Sequence, residues 1–292
     1  MIQPSEGYVD GAGVRLHYLT WGADTARPPI LLLHATGFLA RLWQPVAEAL
    51  ASRYTVHAID TRGHGDSDKP LTTQHSPLAA RHPYDWHNFV DDLAALMDSL
   101  GLRGIPIVGH SSGGTTAAHL AATHPGYASA LVLIEPIIRP SGFNSGEGRP
   151  NDLAEGARRR RTVWPSRAEI VETYRQRKTF AAWREDVLAL YAEHGTFQRE
   201  DGQFELKCPG EVEAQVFDNS TSMDTWDFLP RIACPTLLLR GETTDPYLAM
   251  MLDGAEKAIP GARLATAPGA GHLAPLERPE TVSQMILEFL DA

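Results

Sequence analysis

The sequence predicts an α/β protein in which a doubly wound, mostly parallel sheet carries an inserted helical segment. Short apolar runs alternate along the chain with longer stretches of helical periodicity. These runs lack polar alternation, which is typical of strands buried on both faces of a parallel sheet. The alternation stops between residues 137 and 230, where only helical patterns continue. We therefore predict a core from residues 1–136 and 231–292, with residues 137–230 as a helical cap.

The predicted sheet begins with an edge hairpin, because a Gly-rich turn at residues 11–13 separates two extended pieces. A helix is predicted before Gly101, where Phe89, Leu93 and Leu96 repeat at helical spacing. Five buried strands are predicted from the apolar runs, at Pro28–His34, Tyr54–Asp60, Ile105–His110, Ala130–Pro136 and Pro235–Gly241.

The predicted cap has helix signals of its own. Ser166 and Glu169 form a capping-box pattern at the start of one helix, and Gly195 ends another. Ten of the 23 aromatic residues lie between residues 151 and 230, so this segment has enough apolar surface to pack. Residues 139–152, rich in Gly, Pro, Ser and Asn, predict a hinge into the cap.

Composition excludes several classes of function. The 36 acidic and 26 basic residues give a net charge of −10, and no basic stripe predicts binding to nucleic acid. Cys208 and Cys234 are spaced neither as metal ligands nor as a C-x-x-C redox pair, which favours a protein from a reducing compartment of the cell. Without a signal pattern or a long apolar span, we expect a cytoplasmic protein that needs no membrane. No sequence feature indicates an oligomeric state.

Gly109–Gly113 fits the pattern G-x-S-x-G between a predicted strand and a predicted helix. This pattern predicts a sharp, strained turn that exposes Ser111 as a nucleophile, with small residues where side chains would collide with neighbouring elements. Ser112 follows at the helix start, where its backbone N–H is expected to stabilise an oxyanion. The alternative is a tight turn of purely structural value.

A serine nucleophile needs a histidine base oriented by a carboxylate. His272 is the candidate base, because it lies in a Gly-rich loop between a last predicted strand, Arg263–Pro268, and the terminal helix. Asp245 is the favoured acid, a few residues beyond the end of a core strand, whereas Glu242 is expected to face solvent. Glu135 is the alternative acid, since a glutamate at the end of an apolar strand is costly to bury unless it is paired.

These motifs together resemble the α/β-hydrolase fold family. The resemblance covers nearly the whole chain and rests on LLLHATGF, IDTRGHGDSDKP, GHSSGG, LLLRGETTDP and GAGHLAPLERP in this order. It implies the order nucleophile, acid, base for Ser111, Asp245 and His272. It also implies a second oxyanion N–H from Thr36, with adjacent loop residues as the fallback. Alanine at position 35 departs from the His-Gly pair common in the family.

Residues 60–68 resemble the family's loop after the second parallel strand. One interpretation is a metal site formed by Asp60, His64, Asp66 and Asp68, but their spacing matches no metal-ligand pattern. A structural loop in which Arg62 and the aspartates form ion pairs and hydrogen bonds is the favoured interpretation.

The serine narrows the reactions that the resemblance implies, because dehalogenases and epoxide hydrolases of this fold need a carboxylate at position 111. The sequence therefore predicts a serine hydrolase that cleaves a small to medium, largely apolar carboxylic ester or lactone through an acyl-enzyme, without metal or organic cofactor. The same residues would also serve a carbon-carbon bond hydrolase, a lyase or a cofactor-free oxygenase. The alternative of another class is a ligand-binding receptor with the hydrolase fold.

Overall fold

Strands and helices alternate through the first 134 residues of the computed structural model, which describes residues 2–22, 26–70, 81–140 and 151–292. The strands of this part are β1 (Ser5–Asp10), β2 (Arg15–Trp21), β3 (Ile30–Leu33), β4 (Val56–Ile59), β5 (Ile105–His110) and β6 (Ala128–Ile134). The helices are α1 (Gln44–Leu50), α2 (Trp86–Ser99) and α3 (Ser112–Thr123), with a 3₁₀ turn at Ala40–Trp43 before α1.

Residues 137–230, called the cap segment below, follow β6. Its helices are α4 (Asp152–Arg158), α5 (Arg167–Arg175), α6 (Glu185–His194), α7 (Gly210–Asp218) and α8 (Thr225–Phe228). The predicted helix signals are confirmed: the Ser166 side chain caps α5 by accepting the Glu169 N–H, and Gly195 ends α6. Most of the predicted hinge, residues 141–150, lies outside the described residues. The division of the chain into core and cap stays a prediction.

The cap segment also contains strands that the sequence patterns did not predict. They form a small antiparallel sheet in the order β7-β9-β8, from β7 (Val163–Trp164), β8 (Thr196–Gln198) and β9 (Phe204–Leu206). Strands of two or three residues are too short to show a period of two, so no alternation pattern could identify them.

The chain then returns to the main sheet through a 3₁₀ turn at Leu229–Arg231. Two further strands follow, β10 (Thr236–Gly241) and β11 (Arg263–Ala267), and α9 (Pro246–Ala258) connects them. The chain ends with α10 (Ala274–Glu277) and α11 (Pro279–Leu290). The eight strands lie in the order β1-β2-β4-β3-β5-β6-β10-β11. Only the β1–β2 and β2–β4 pairs are antiparallel, which confirms the edge hairpin and the mostly parallel sheet.

Both faces of the sheet are covered, which explains the unbroken apolar runs. In β3, Leu31 and Leu33 pack with α2 and α3 on one face, whereas Ile30 and Leu32 pack with α1 and α11 on the other. All four side chains are fully buried, and each such burial contributes about 1.5–3 kcal/mol. This double packing fixes the strand ends at which the candidate site lies. No helix within the described ranges combines the length and hydropathy needed to cross a bilayer.

Candidate active site

The turn between β5 and α3 places Ser111 in a strained backbone conformation, with φ 53° and ψ −117°. Non-glycine residues with positive φ are uncommon and carry strain that the surrounding structure must offset. A Cβ at Gly109 would lie 2.5 Å from the Gly113 carbonyl oxygen, and one at Gly113 would lie 2.6 Å from that of His34. Both positions therefore require glycine, as the G-x-S-x-G pattern predicts.

His272 lies in the loop after β11 and meets this serine. Its Nε2 is 3.2 Å from the Ser111 hydroxyl oxygen. Ser111 is only 8% exposed, whereas the His272 side chain is 32% exposed, so the imidazole is the more solvent-accessible of the two groups. The backbone is fixed too, because the His110 Nε2–H donates to the His272 carbonyl at 2.7 Å. The structure thus brings together the predicted nucleophile and base.

The carboxylate next to His272 is that of Glu135. Its Oε2 lies 3.1 Å from His272 Nδ1, at the first residue after β6, where φ is 49°. The Glu135 side chain is fully buried and accepts two further hydrogen bonds, from the Gly241 N–H at 2.7 Å and the Thr244 hydroxyl at 2.5 Å. All of these partners can donate to an ionised carboxylate, which satisfies the charge despite its burial.

This geometry corrects the expectation that Asp245 orients His272. Asp245 is exposed and begins α9, where its carboxylate accepts the Tyr247 N–H at 2.8 Å. No hydrogen bond of the described residues joins it to His272. The physical reason is that an aspartate before a helix caps that helix, while the tight turn at Glu135 directs its side chain toward the histidine. Glu242 is exposed, as expected.

Thr36 and Ser112 lie side by side at the candidate oxyanion site. The Thr36 hydroxyl donates to the Ser112 hydroxyl oxygen at 3.0 Å. Ser112 is the first residue of α3, and the N–H groups of a first helical turn have no intrahelical acceptor. Two fallback donors in the loop have other acceptors: the Gly37 N–H bonds His64 Nε2 and the Phe38 N–H bonds the Ala35 carbonyl. This pairing favours Thr36 over those neighbours.

Three buried histidines, His34, His64 and His110, fix the surrounding loops. From the sequence, only His64 was given a possible role, as a metal ligand. His34 Nε2 accepts the Thr61 N–H, so this ring links the loops after β3 and β4. Burial lowers the pKa of His64 and of His110 to about 3, and it also lowers that of His34. Near neutral pH these rings are therefore uncharged and support the site as hydrogen-bonding groups.

Residues 60–68 form a hydrogen-bonded loop, as favoured from the sequence. Asp60 accepts the Ala40 N–H at 2.6 Å and the Asp66 N–H at 2.9 Å. Arg62 pairs with Asp92 of α2 at 2.7 Å rather than with an aspartate of its own loop. Both ring nitrogens of His64 contact protein groups, so the alternative metal site of Asp60, His64, Asp66 and Asp68 is not assembled.

The start of the cap segment is joined directly to the nucleophile turn. The Thr115 hydroxyl contacts the Ile137 N–H at 3.0 Å and the Ile137 carbonyl at 2.9 Å. The same hydroxyl lies 3.2 Å from the Ser111 carbonyl. We call these contacts the Thr115–Ile137 clasp. It links the first helical turn after Ser111 to the chain that leaves the sheet two residues after Glu135.

Aromatic side chains of the cap segment pack on Phe38, in the loop after β3 that carries Thr36. We call this loop, residues 34–39, the oxyanion loop. The ring centroid of Phe38 is 5.2 Å from that of Trp183 and 6.3 Å from that of Tyr191. A Cβ at Gly37 would lie 2.5 Å from Glu213 Oε1 of α7, and Glu213 forms a buried ion pair with Arg160 at 2.5 Å. The cap segment therefore contacts the loop that carries Thr36.

Comparison with known proteins agrees with this architecture. The chain is 26% identical over 275 residues to a 2-(acetamidomethylene)succinate hydrolase of Mesorhizobium japonicum, covering 91% of this chain and 88% of that protein. A putative carbamate hydrolase of a Caulobacter species is 34% identical over 46% of each chain. The crystal structure of an enol-lactonase from Burkholderia xenovorans superposes with a TM-score of 0.76 at 23% identity, covering 98% of this chain and all of that one.

The solved structure of an E-2-(acetamidomethylene)succinate hydrolase gives a TM-score of 0.82 at 23% identity, over 99% of this chain and all of that one. At such identities these structures establish the fold, while the hydrolase relatives support hydrolysis as the class of reaction. The model of the alpha/beta hydrolase family matches residues 30–285, from β3 to the last helix. The chain belongs to the alpha/beta hydrolase family.

Proposed function

We propose that this protein hydrolyses carboxylic esters or lactones through a covalent acyl-enzyme formed on Ser111, with His272 as base and Glu135 as the acid that orients it. The observation that carries the proposal is the continuous chain of contacts Ser111, His272, Glu135 beside a strained nucleophile turn. Such a chain is the arrangement that activates a serine hydroxyl. A ligand receptor would have no physical need for it.

The expected reaction has two halves. His272 Nε2 removes the Ser111 proton as the oxygen attacks the substrate carbonyl, and the leaving alcohol then takes that proton. The N–H groups of Thr36 and Ser112 stabilise the oxyanion. Water next attacks the acyl-enzyme with His272 again as base, which releases the acid and restores Ser111. Glu135 keeps the Nδ1 proton of His272 in place and stabilises the imidazolium.

The substrate that we propose is small to medium in size and largely apolar. The support is the aromatic packing of Trp183 and Tyr191 on Phe38, next to the oxyanion loop. We take residues 137–230 as a lid over the site. One relative with this fold is named an enol-lactonase, which supports including lactones.

A second candidate reaction is amide-type hydrolysis on the same three residues. It is favoured by the relative that matches 91% of this chain, whose name specifies an acetamido compound. Both reactions attack an acyl carbon, so they differ in the leaving group that His272 must protonate. An amine leaving group depends more strongly on that proton transfer than an alcohol does.

The test combines covalent labelling with turnover. Intact mass spectrometry after treatment with a fluorophosphonate should show one adduct on the wild type and none on Ser111→Ala. The wild type should cleave short to medium acyl esters or lactones, and Ser111→Ala should not. Ser112→Ala is the matched control, because it retains the backbone N–H and should keep most of the turnover.

Three outcomes would decide against the proposal. An unlabelled wild type would contradict the nucleophile assignment. Labelling without cleavage of any ester or lactone would contradict the bond type and direct the search to acetamido compounds or to carbon-carbon bonds. Equal loss of turnover in Ser111→Ala and Ser112→Ala would contradict the different roles that we assign to the two serines.

A further inference from the structure

A cluster of metal-ligating side chains lies outside the candidate active site, where α2, α3 and the start of α8 meet. It consists of His87, His119 and Asp224, each of which offers one ligand atom within 4.8 Å of the others. His87 Nε2 is 3.9 Å from the Asp224 carboxylate, and the rings of His87 and His119 lie edge to face, at 86° with centroids 5.5 Å apart. The mechanism proposed above uses none of these groups.

Both imidazoles are oriented through Nδ1. Nδ1 of His87 lies 2.9 Å from the Asp85 carboxylate, and Nδ1 of His119 lies 3.2 Å from the Thr225 hydroxyl. A hydrogen bond at one ring nitrogen fixes the tautomer and leaves the other nitrogen for a metal, which is the usual arrangement around metal-bound histidines. The cluster thus has both candidate ligands and the groups that orient them.

The distances also suit a cation. The Asp224 side chain is 56% exposed, which leaves it able to rotate while Asp85 holds His87. Tetrahedral zinc with bonds of about 2.0–2.1 Å places ligand atoms about 3.3 Å apart, so a modest rotation of Asp224 closes the present distance of 3.9 Å to His87 Nε2.

We propose that His87, His119 and Asp224 bind a divalent transition-metal ion of the zinc type, with water completing its coordination. Two imidazoles and one carboxylate are a donor set that suits such ions rather than calcium or magnesium. Asp224 lies near the end of the cap segment, where Ser222 accepts the Trp86 N–H at 3.0 Å. A bound ion would fasten this end of the cap segment to α2 and α3.

Zinc titration of the full-length protein tests the proposal. After treatment with a chelator and desalting, isothermal titration calorimetry with ZnCl₂ should give saturable binding of one ion per chain. His87→Gln and Asp224→Asn should each weaken binding at least about tenfold, since each removes a ligand. Asp85→Asn keeps a helix-capping side chain but changes the group that orients His87, and a loss of about tenfold is expected.

Asp227→Asn is the matched control, because Asp227 is also exposed on α8 and lies outside the cluster. It should bind zinc as the wild type does. Cobalt gives a second readout: the visible absorption of bound Co²⁺ should appear with the wild type and with Asp227→Asn, and be lost in His87→Gln. Circular dichroism should show that all variants are folded.

The absence of saturable zinc binding would overturn the proposal. So would binding of equal affinity in the wild type, His87→Gln and Asp224→Asn, because the ion would then lie elsewhere. Equal weakening in Asp227→Asn would identify a general effect of surface charge instead. These outcomes are independent of ester cleavage, so the metal site and the proposed function stand or fall separately.

Discussion

The ends of β6 and β10 differ in a way that determines which carboxylate reaches His272. The two strands are parallel neighbours, with Ile134 opposite Leu239, and both end at the same edge of the sheet. Glu135 follows β6 at once and is buried, whereas Asp245 lies four residues beyond β10 and is exposed at the start of α9. The loop after β10 supplies hydrogen-bond donors for its neighbour's carboxylate rather than an acid of its own.

The largest difference between the two carboxylates is expected when each is neutralised in turn. Glu135→Gln should lower kcat by about 10³–10⁴, because an amide beside Nδ1 no longer fixes the tautomer of His272. Asp245→Asn should leave kcat within about twofold, since asparagine caps a helix as well as aspartate does. Steady-state ester hydrolysis measures both. If Asp245→Asn loses more activity than Glu135→Gln, our assignment of the acid is reversed.

Acid should lower the free energy of unfolding, because His64 and His110 are buried in their uncharged form. The folded pKa of His64 and of His110 is about 3, below the unfolded value of 6.5. The unfolded chain therefore binds protons that the native state excludes, so stability is full above about pH 6.5 and falls as the pH drops toward 3. The limiting slope is about 1.4 kcal/mol per pH unit for each histidine.

Urea unfolding at pH 7.5, 5.5 and 4.5 measures this dependence. His110→Gln cannot bind the extra proton in the unfolded state, so its free energy of unfolding should vary less with pH than that of the wild type. An equal slope for the two proteins would show that the burial of His110 does not contribute to the acid sensitivity.

Thr244, in the loop after β10, donates its hydroxyl to the Glu135 carboxylate. Thr244→Val keeps the shape but removes a hydrogen bond of 2.5 Å to a buried carboxylate. Hydrogen bonds to charged groups contribute about 1.5–3 kcal/mol, so kcat/KM should fall at least about tenfold. Thr243→Val is the control, since the Thr243 hydroxyl bonds the Ala270 carbonyl. Equal activities in the two variants would remove Thr244 from the positioning of Glu135.

The smallest effect is expected at Asp245 itself, and on stability instead of rate. Asp245→Ala removes the side chain that accepts the Tyr247 N–H at the start of α9. Loss of a helix cap costs about 1 kcal/mol, which chemical denaturation can measure, while kcat should stay near that of the wild type. A large loss of turnover without a loss of stability would contradict the capping role.

Local patterns predicted the sheet and the nucleophile turn, because they depend on residues that are adjacent in the sequence. The apolar runs follow from strands covered on both faces, and the glycines around Ser111 follow from clashes within a single turn. His272 was predicted from its Gly-rich loop, and it does lie next to Ser111. The short strands β7–β9 were not predicted, because two or three residues are too few to show an alternation of polar and apolar side chains.

The carboxylate that contacts His272 could not be chosen from local patterns. Its position depends on a positive φ at Glu135 and on donors contributed by Gly241 and Thr244, more than 100 residues later in the chain. Asp245 was favoured because it lies a few residues beyond the end of a core strand, and the order Ser111, Asp245, His272 also matches that of the family. The one physical signal that pointed to Glu135 was the free-energy cost of burying an unpaired glutamate. The structure gives this carboxylate a partner in His272.

The Thr115–Ile137 clasp limits where the cap segment could be replaced by the corresponding segment of a relative. Ile137 follows Glu135 by only two residues, so a graft that begins at Ile137 would also alter the contact with Thr115 of α3. Ile138 is also buried in the main core. The corresponding segment of another member of the family should therefore be joined after Ile138, which leaves the contacts of the Ser111 turn in place.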